Sequence, residues 1–297
     1  MRFQGIVPAC VTPFVDGRAS AEAMQANIAR WLKTGVHGFL LFGSTGEFLY
    51  LDEDERRDAL RAARAAIPDT HFLLAGCGAE STRQTLRNLE WAAEDGADAA
   101  LVVTPVYYTR GDVDAQRRHF LALADRSPIP ILLYTVPAFT AYDLPVDLIE
   151  ELAQHPNIVG IKDSSGDLKR VALQIRTQEE GDFTLFAGSP NLAYPALIMG
   201  AAGSITAFAN IVPEMFVSLW NAVQEKDLVR AAALQRAITE LHGRIGSMGI
   251  PAIKAILAHR GYQPGEPRMP LAPLDVPARE RAIAAWRQAM GICEWWE

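Results

Sequence analysis

The sequence predicts a (β/α)8 barrel followed by a C-terminal helical extension. Three observations support this fold class: short apolar runs alternate with longer helical runs, eight such pairs fill residues 1–225 of the 297-residue chain, and most of the apolar runs lack a regular polar alternation. Strands covered by helices on both faces are continuously apolar, which is typical of a parallel sheet. Eight strand–helix repeats in this length favour a closed barrel.

The predicted strands, in chain order, are short runs of mostly aliphatic residues. They cover residues 6–11, 38–42, 72–75, 99–103, 129–134, 158–162, 183–187 and 203–205. A doubly wound open sheet is the alternative arrangement of these elements. It is less favoured because no GxGxxG motif follows the first run, and dinucleotide-binding sheets of that class carry one there.

Helix start signals stand between several of these runs. Asp52 with Glu55 and Ser81 with Gln84 have the residue types and the spacing of capping boxes, in which two backbone N–H groups of the first turn are paired by side chains. Pro213 is predicted as the first residue of another helix, because proline is favoured at that position.

The C-terminal part, residues 226–297, lacks strand candidates and predicts a helical extension. Its predicted helices cover residues 228–245, 250–260 and about 277–290. No low-complexity linker precedes it, so residues 1–225 are expected to form the barrel with the active site and the extension to pack against it. Trp286, Trp295 and Trp296 are expected to pack onto the barrel or onto a partner subunit.

The composition is that of an ordinary globular chain and argues against several classes of function. Hydrophobic residues make up 49% of the chain and charged residues 21%, and the formal net charge is -7. Because no basic run stands out, nucleic acid is not an expected partner. No apolar stretch reaches the roughly 18 residues that a membrane span needs, and no secretory signal is evident. A cytoplasmic location is therefore expected.

Neither the cysteines nor the histidines form a recognisable ligand set. Cys10, Cys77 and Cys293 are isolated, and no CxxC pair occurs, which predicts reduced and mostly buried thiols. The six histidines are scattered without metal-ligand spacing. We therefore expect a mechanism that does not depend on a metal.

Lys162 is the most informative single residue, because it ends a short apolar strand and a polar loop follows it. The active site of a barrel lies at such strand ends. Burial disfavours the ammonium form of a lysine and exposes the lone pair that attacks a carbonyl carbon, so Lys162 is a candidate for a Schiff base. The alternative is a lysine whose ammonium reaches solvent from the strand end.

The loop after the second predicted strand, Gly43-Ser44-Thr45-Gly46-Glu47, has the composition of a carboxylate-binding turn. Its two glycines permit close approach of the backbone. Its two hydroxyls and the neighbouring backbone N–H groups are able to surround an anion. A simple turn is the alternative, since turns rich in Gly and Ser are common.

Three further strand-end positions carry groups suited to contact with a substrate. Tyr107 follows the fourth predicted strand and Tyr134 ends the fifth. A tyrosine hydroxyl both donates and accepts, so these two predict a proton relay near Lys162; simple packing with the hydroxyl at solvent is the alternative. Gly188-Ser189 follows the seventh strand and indicates close approach of a substrate, a helix start, or both.

Together these residues resemble the dihydrodipicolinate synthase / N-acetylneuraminate lyase superfamily. The resemblance rests on residues 43–47, Tyr107, Tyr134 and 160–162, in order over nearly the whole chain. It implies a (β/α)8 barrel with a C-terminal helical extension. It also implies class I aldolase or lyase activity on pyruvate-type 2-oxo acids without a cofactor, and a homotetramer built as a dimer of dimers.

The resemblance further implies a role for each candidate residue. Lys162 is the Schiff-base nucleophile, and Tyr134 donates and accepts the protons. Thr45 links Tyr134 to Tyr107, which reaches into the site of a neighbouring subunit. The substrate-binding residues that it implies are Ser44, Thr45, Gly188, Ser189 and Ile205.

Within the superfamily, the chain resembles the 4-hydroxy-2-oxoglutarate aldolases most closely, in residues 134–138, 143–147, 154–164 and 249–254. Phe139 stands where the synthases carry an arginine that binds a substrate carboxylate, and a phenyl ring cannot replace a guanidinium. Cleavage of a 4-hydroxy-2-oxo acid to pyruvate and an aldehyde is therefore favoured. The alternatives are a 2-keto-3-deoxy sugar-acid aldolase, an N-acetylneuraminate lyase, a dihydrodipicolinate synthase, or a non-catalytic sensor of 2-oxo acids.

Overall fold

Eight parallel strands form the centre of the protein, as the sequence predicts. The computed structural model describes residues 3–179 and 181–293. The strands are β1 Gly5–Pro8, β2 Gly38–Leu41, β3 Phe72–Gly76, β4 Ala99–Val103, β5 Ile131–Thr135, β6 Ile158–Asp163, β7 Thr184–Ala187 and β8 Gly203–Thr206. Each overlaps the run predicted for it, and each pairs in parallel with its neighbours in the order β1-β8-β7-β6-β5-β4-β3-β2.

The sheet closes between its first and last strands. Ala9, just beyond β1, bridges in parallel to Leu40 of β2, and the Cys10 N–H donates to the Leu40 carbonyl at 2.8 Å. All eight strands therefore surround one barrel axis, and their carboxyl ends meet on one face.

Helices follow the strands and cover the barrel from outside. In the barrel they are α1 Ala21–Leu32, α2 Glu53–Ala66, α3 Thr82–Glu94, α4 Val113–Ala124, α5 Val146–Leu152, α6 Leu168–Glu179, α7 Ala193–Ile198 and α8 Pro213–Gln224. Those of the extension are α9 Leu228–Ile245, α10 Gly249–His259 and α11 Val276–Cys293. None of the helices that the structure describes is long and apolar enough to cross a membrane.

Two apolar layers explain why the strands are apolar without alternation. Along β2, Leu40 belongs to the cluster inside the barrel, whereas Phe39 and Leu41 belong to the layer between strands and helices. Successive side chains of a strand point to opposite faces. Because both faces are buried here, every position along the strand favours an apolar residue.

Of the two predicted capping boxes, one is confirmed and the other is confirmed only in part. The Asp52–Glu55 capping box is complete. Ser81 accepts from the Gln84 N–H, but the Gln84 side chain donates to Asn88 instead of returning to Ser81. The second box is therefore only half formed.

The run predicted as one strand over residues 6–11 is shorter in the structure, because β1 ends at Pro8. An antiparallel hairpin of Phe14–Val15 and Arg18–Ala19 follows soon after it. Asp16 and Gly17 both have positive φ angles at its turn. An Asp-Gly pair is a strong hairpin signal, so the sequence contained evidence that our prediction of this segment did not use.

The C-terminal helices pack directly onto the barrel. α9 contacts α8 and α11, and α10 contacts α11. Residues of the barrel and of α9 and α10 belong to one hydrophobic cluster. A domain boundary between barrel and extension after residue 225 therefore stays a prediction. Trp295 and Trp296 lie outside the described residues.

The cysteines that the structure describes with their side chains are free and buried. These are Cys10 and Cys77; the side chain of Cys293 lies outside the described part. Burial raises the pKa of the Cys77 thiol to about 12. At neutral pH this thiol is protonated and unreactive, in agreement with a structural role.

Candidate active site

Lys162 lies at the carboxyl end of β6 with its side chain inside the molecule. Only 4% of the residue is exposed. Its Nζ atom lies 4.5 Å from the centroid of the Tyr134 ring, because β5 and β6 pair with Tyr134 opposite Lys162. In the described part of the chain, no carboxylate lies within ion-pairing distance of this amine. The predicted nucleophile is therefore buried against an aromatic ring and has no carboxylate partner in the described chain.

A second buried lysine offers a comparison within the same chain. Lys254 on α10 is 2% exposed, and its Nζ lies 2.7 Å from Oε1 of Glu47. It also donates to the carbonyl of Glu266 at 3.0 Å. Burial lowers the pKa of Lys254, and Glu47 opposes this shift. Lys254 thus has the partners of a structural ion pair, which Lys162 lacks.

The loop that contains Ser44 and Thr45 is a single turn of 3-10 helix over Ser44–Gly46. Phe42 and Glu47, on either side of it, have φ angles of 59° and 56°. Such angles are uncommon for residues other than glycine and persist only where the surroundings enforce them. The loop geometry is therefore imposed from outside.

The extension supplies much of that constraint through Glu47. The side chain of Glu47 is completely buried, and besides Lys254 it accepts from the Arg268 N–H at 2.7 Å. The Arg268 guanidinium pairs with Glu55 and lowers the pKa of that carboxyl to about 2. Through these contacts Glu47 acts as a hydrogen-bond acceptor that supports the loop. Residues that lie far along the chain thus hold the loop that follows β2.

The predicted carboxylate-binding residues share one cavity at the carboxyl ends of the strands. It has a volume of about 200 Å³, and Ser44, Thr45 and Gly188 line it. Ser44 also lines a smaller adjoining space with Tyr134. The Gly188 N–H donates to the carbonyl of Asp163, the last residue of β6, at 2.7 Å. The structure therefore brings these candidates together next to the strand that carries Lys162, although neither Lys162 nor Tyr134 is among the residues that line this cavity.

Gly188 has a steric reason to be glycine. A Cβ atom built on it would lie 1.9 Å from the Ser164 Oγ and 2.9 Å from the Ser164 Cβ, so Ser164 would have to move. The absence of a side chain lets the β7 loop pass close to the end of β6. This close approach brings the backbone of Gly188 to the cavity wall.

Two of the predicted binding residues do not line this cavity. Ile205 is fully buried inside the barrel, in the same apolar cluster as Tyr134, and its neighbour Thr206 lines the cavity instead. Ser189 precedes the 3-10 segment Pro190–Leu192 without capping it through its side chain. Their predicted contacts with substrate stay predictions.

Tyr107 lies apart from the other candidates. Its residue is 76% exposed, and its ring packs edge-on against Tyr108. The Glu80 carboxylate accepts from the Tyr107 N–H at 2.8 Å and so fixes this turn. Within the described chain, no hydrogen bond joins the Tyr107 hydroxyl to Thr45 or Tyr134. A link through Thr45 to Tyr107 therefore stays a prediction that concerns a second subunit.

Sequence reasoning missed His242, which lines the far side of the cavity from α9. Its only sequence signal is a histidine on a helix, which usually means packing or solvent contact. Lys254 was also missed, although a charged residue within the apolar segment 250–257 is a sign of a buried pair. Its partner could not be found from spacing, because Glu47 lies in another element far along the chain.

No group of three or more His, Cys, Asp or Glu residues among those described is arranged to hold a metal.

Comparison with known proteins agrees with this geometry. The Dihydrodipicolinate synthetase family matches residues 2–289. A 4-hydroxy-tetrahydrodipicolinate synthase from Methanoculleus marisnigri is 38% identical over 278 residues, which cover 92% of this chain and 94% of that relative.

Two solved structures match over nearly their whole length. The chloride-inhibited dihydrodipicolinate synthase from Acinetobacter baumannii, complexed with pyruvate, has a TM-score of 0.90 and 31% identity, and the match covers 97% of this chain and 99% of that one. YagE, a prophage protein of the dihydrodipicolinic acid synthase family from E. coli K12 in complex with pyruvate, has a TM-score of 0.91 and 28% identity with the same coverage.

Because members of the matching family are enzymes of the aldolase and lyase type that act through a lysine Schiff base, this chain belongs to that class of enzyme. The match over nearly the whole sequence is consistent with that class. The chain belongs to the dihydrodipicolinate synthetase family.

Proposed function

We propose that this protein cleaves a 4-hydroxy-2-oxo acid to pyruvate and an aldehyde through an imine on Lys162. The observation that carries the proposal is the buried Lys162 amine, which has no carboxylate partner in the described chain and lies against Tyr134. Attack on a ketone uses the lone pair of an amine. No carboxylate of the described chain holds the Lys162 nitrogen in an ion pair, whereas Glu47 holds that of Lys254.

In the proposed reaction, the Lys162 nitrogen adds to C2 of the 2-oxo acid and water leaves. The protonated imine then withdraws electrons, so that the C3–C4 bond breaks with its electron pair on C3. Tyr134 donates the proton with which the water leaves, and the resulting phenolate then accepts the proton of the C4 hydroxyl as the aldehyde departs. The same proton passes from Tyr134 to C3 of the enamine, and the phenolate regains a proton when water hydrolyses the imine. This hydrolysis releases pyruvate and the free amine.

Ser44, Thr45 and the neighbouring backbone N–H groups are proposed to hold the carboxylate next to the ketone. They line the cavity beside Gly188, and the 3-10 turn directs successive N–H groups to one side. Pyruvate bound to two solved relatives supports a pyruvate-type ligand for this end of the site. Proton transfer by Tyr134 is expected to contribute about 10²- to 10⁴-fold to the rate.

The second candidate function is condensation of pyruvate with aspartate semialdehyde, which the names of the relatives favour. Phe139 argues against it. This side chain is 75% exposed and lines the cavity, at the position where the synthases it resembles carry an arginine. No charged side chain is among the described residues that line this cavity. The described lining of this cavity therefore contains no arginine that could bind a second carboxylate.

A panel of substrates separates these candidates. We expect pyruvate release from 4-hydroxy-2-oxoglutarate to exceed release from a 2-keto-3-deoxy sugar acid and from N-acetylneuraminate by at least tenfold in kcat/KM, and we expect condensation of pyruvate with aspartate semialdehyde to be slower still. A tenfold preference corresponds to about 1.4 kcal/mol of transition-state binding. Pyruvate is measured by coupled reduction to lactate, with the Lys162→Met variant as the blank. Faster condensation than cleavage would transfer the assignment to the synthase reaction.

We further propose that the active form is a homotetramer, arranged as a dimer of dimers. Large apolar side chains are exposed near the carboxyl ends of the strands: Leu49, Tyr107, Tyr108 and Phe139. Tyrosine and other aromatic residues are enriched in protein interfaces. Burial of Tyr107 against a second copy would also explain why its hydroxyl has no partner within the described residues of one chain.

A further inference from the structure

The residues that line the cavity differ in polarity between those at the strand ends and those of the surrounding helices. Ser44, Thr45 and Thr206 contribute hydroxyls near the strands, whereas the far wall is formed mainly by side chains of α9, α10 and the segment Ala207–Asn210. That wall consists largely of apolar residues, namely Phe208, Ile245, Ile250 and Ile253. His242 is the one titratable side chain among the described residues that line the cavity. It is therefore the group available to recognise a polar atom at the far end of a substrate.

The imidazole of His242 is held in a defined orientation. Its Nδ1 lies 3.2 Å from the Asn191 Nδ2, and its ring packs against Phe208 with 5.0 Å between centroids. A Cβ atom on Gly246 would lie 2.9 Å from Nε2, so the glycine leaves space around that nitrogen. Within the described chain, Nε2 has no hydrogen-bond partner. The ring is thus fixed on one side and open on the other.

Asn191 is suited to support both protonation states of this ring. With its amide nitrogen next to Nδ1, it donates to a neutral imidazole and places the proton on Nε2, which then acts as a donor. The Asn191 Oδ1 is buried and has no partner among the described residues. Rotation of the amide would bring this oxygen to Nδ1, where it accepts from the charged imidazolium. Asn191 therefore allows His242 to gain a proton without losing its support.

Electrostatic conditions in the cavity make such a proton uptake depend on the ligand. Burial lowers the pKa of His242, and the lining residues from the neighbouring elements carry no charge. Glu240 and Arg244 on α9 pair with each other. A carboxylate within hydrogen-bond distance of Nε2 favours the charged form of the ring. The uncharged ring of the free enzyme is expected to become an imidazolium when an anionic ligand arrives.

We infer that His242 binds the distal carboxylate of the substrate, which makes 4-hydroxy-2-oxo dicarboxylic acids the substrate class of this site. The inference rests on the proposed imine-forming cleavage and names the group that the far end of the cavity recognises. In this arrangement a histidine that gains a proton replaces the arginine fork of the synthases. His242 is a specificity residue, and it takes no part in the bond changes at C2, C3 and C4.

The test compares two substrates that differ at one end, 4-hydroxy-2-oxoglutarate and 4-hydroxy-2-oxopentanoate, in which a methyl group replaces the distal carboxylate. His242→Leu is expected to lower kcat/KM for the dicarboxylate by about 10- to 100-fold, the range of a hydrogen bond to a charged group. The loss for the monocarboxylate is expected to be much smaller, so the ratio of the two kcat/KM values falls. His242→Gln, which keeps a donor, is expected to restore part of the ratio.

The pH dependence supplies a readout that a purely structural role would not change. Because the free enzyme must gain a proton to bind the dicarboxylate, its kcat/KM should fall as the pH rises above the pKa of the free His242, which burial lowers from its ordinary value. This fall of kcat/KM with rising pH should be missing for the monocarboxylate and in His242→Leu. His155→Leu, which replaces a histidine outside the cavity, is the matched control and should keep the wild-type ratio and pH profile.

The outcomes distinguish this inference from the proposed function. Reductive trapping of pyruvate on the wild-type enzyme and on His242→Leu reports imine formation independently of the distal group. If trapping succeeds in both but the two substrates lose activity equally, or neither loses activity, the role of His242 is refuted and the imine chemistry stands. If trapping fails in the wild type, the proposed function itself is refuted.

Discussion

Replacement of Lys162 by methionine should abolish pyruvate release while the barrel stays folded. The loss should exceed the roughly 10²- to 10⁴-fold that a proton-transfer residue contributes, because no other group at the end of β6 can form the covalent intermediate. Methionine has a similar length and no charge, so it fits a site that is 4% exposed. The measurement is single-substrate kinetics of pyruvate release, together with a denaturant titration of the same preparation.

The stability of the Lys162→Met variant is the internal control of that prediction. Because the Lys162 amine has no ion-pair partner in the described chain, its removal leaves no buried carboxylate unpaired. We expect the free energy of unfolding to stay within about 1.5 kcal/mol of wild type, or to rise. Residual turnover within tenfold of the wild type would remove Lys162 from the reaction.

The same substitution at Lys254 should have the opposite profile. Lys254→Met removes the partner of the completely buried Glu47 carboxylate and should lower the free energy of unfolding by about 3–5 kcal/mol, as loss of one member of a buried pair does. The variant should also bind 2-oxo acids more weakly, because Glu47 fixes the end of the loop that carries Ser44 and Thr45. Urea titration and the KM for the 2-oxo acid measure the two effects.

A double-variant cycle tests whether the effect at Lys254 comes from the unpaired charge. In Glu47→Gln/Lys254→Met both buried charges are gone. The glutamine oxygen can still accept from the Arg268 N–H, which donates to Glu47 in the wild type. We expect the double variant to regain most of the lost stability, since neutral replacements of buried ion pairs are often well tolerated. Additive losses in the double variant, or a wild-type stability of Lys254→Met, would contradict the structural role of this pair.

The fold was largely predictable because the barrel has a simple physical pattern. A strand buried on both faces must be apolar at every position, as Phe39, Leu40 and Leu41 illustrate on the two sides of β2. Such runs are visible in the sequence without any knowledge of their partners. The hairpin at Phe14–Ala19 escaped prediction because its strands contain two residues each, although Asp16-Gly17 marks its turn.

The site was predictable where chemistry and strand position coincide, and not elsewhere. Lys162 and Tyr134 end neighbouring strands, so their proximity follows from the barrel itself. Lys254 and His242 come from the helical extension, and no spacing rule relates that extension to the loops it contacts. Tyr107 is exposed in the single chain, so its predicted role depends on a surface contact that one sequence does not specify.

The central claim is that one lysine amine forms the covalent bond with the 2-oxo acid. Incubation with pyruvate and sodium borohydride reduces an imine to a stable secondary amine, which peptide mass spectrometry then locates. We expect one modified peptide, the one that contains Lys162, and no modification of Lys254, which is equally buried but paired with Glu47. A reduced adduct on any other lysine, or an intact protein without an adduct after complete reaction, would contradict the account.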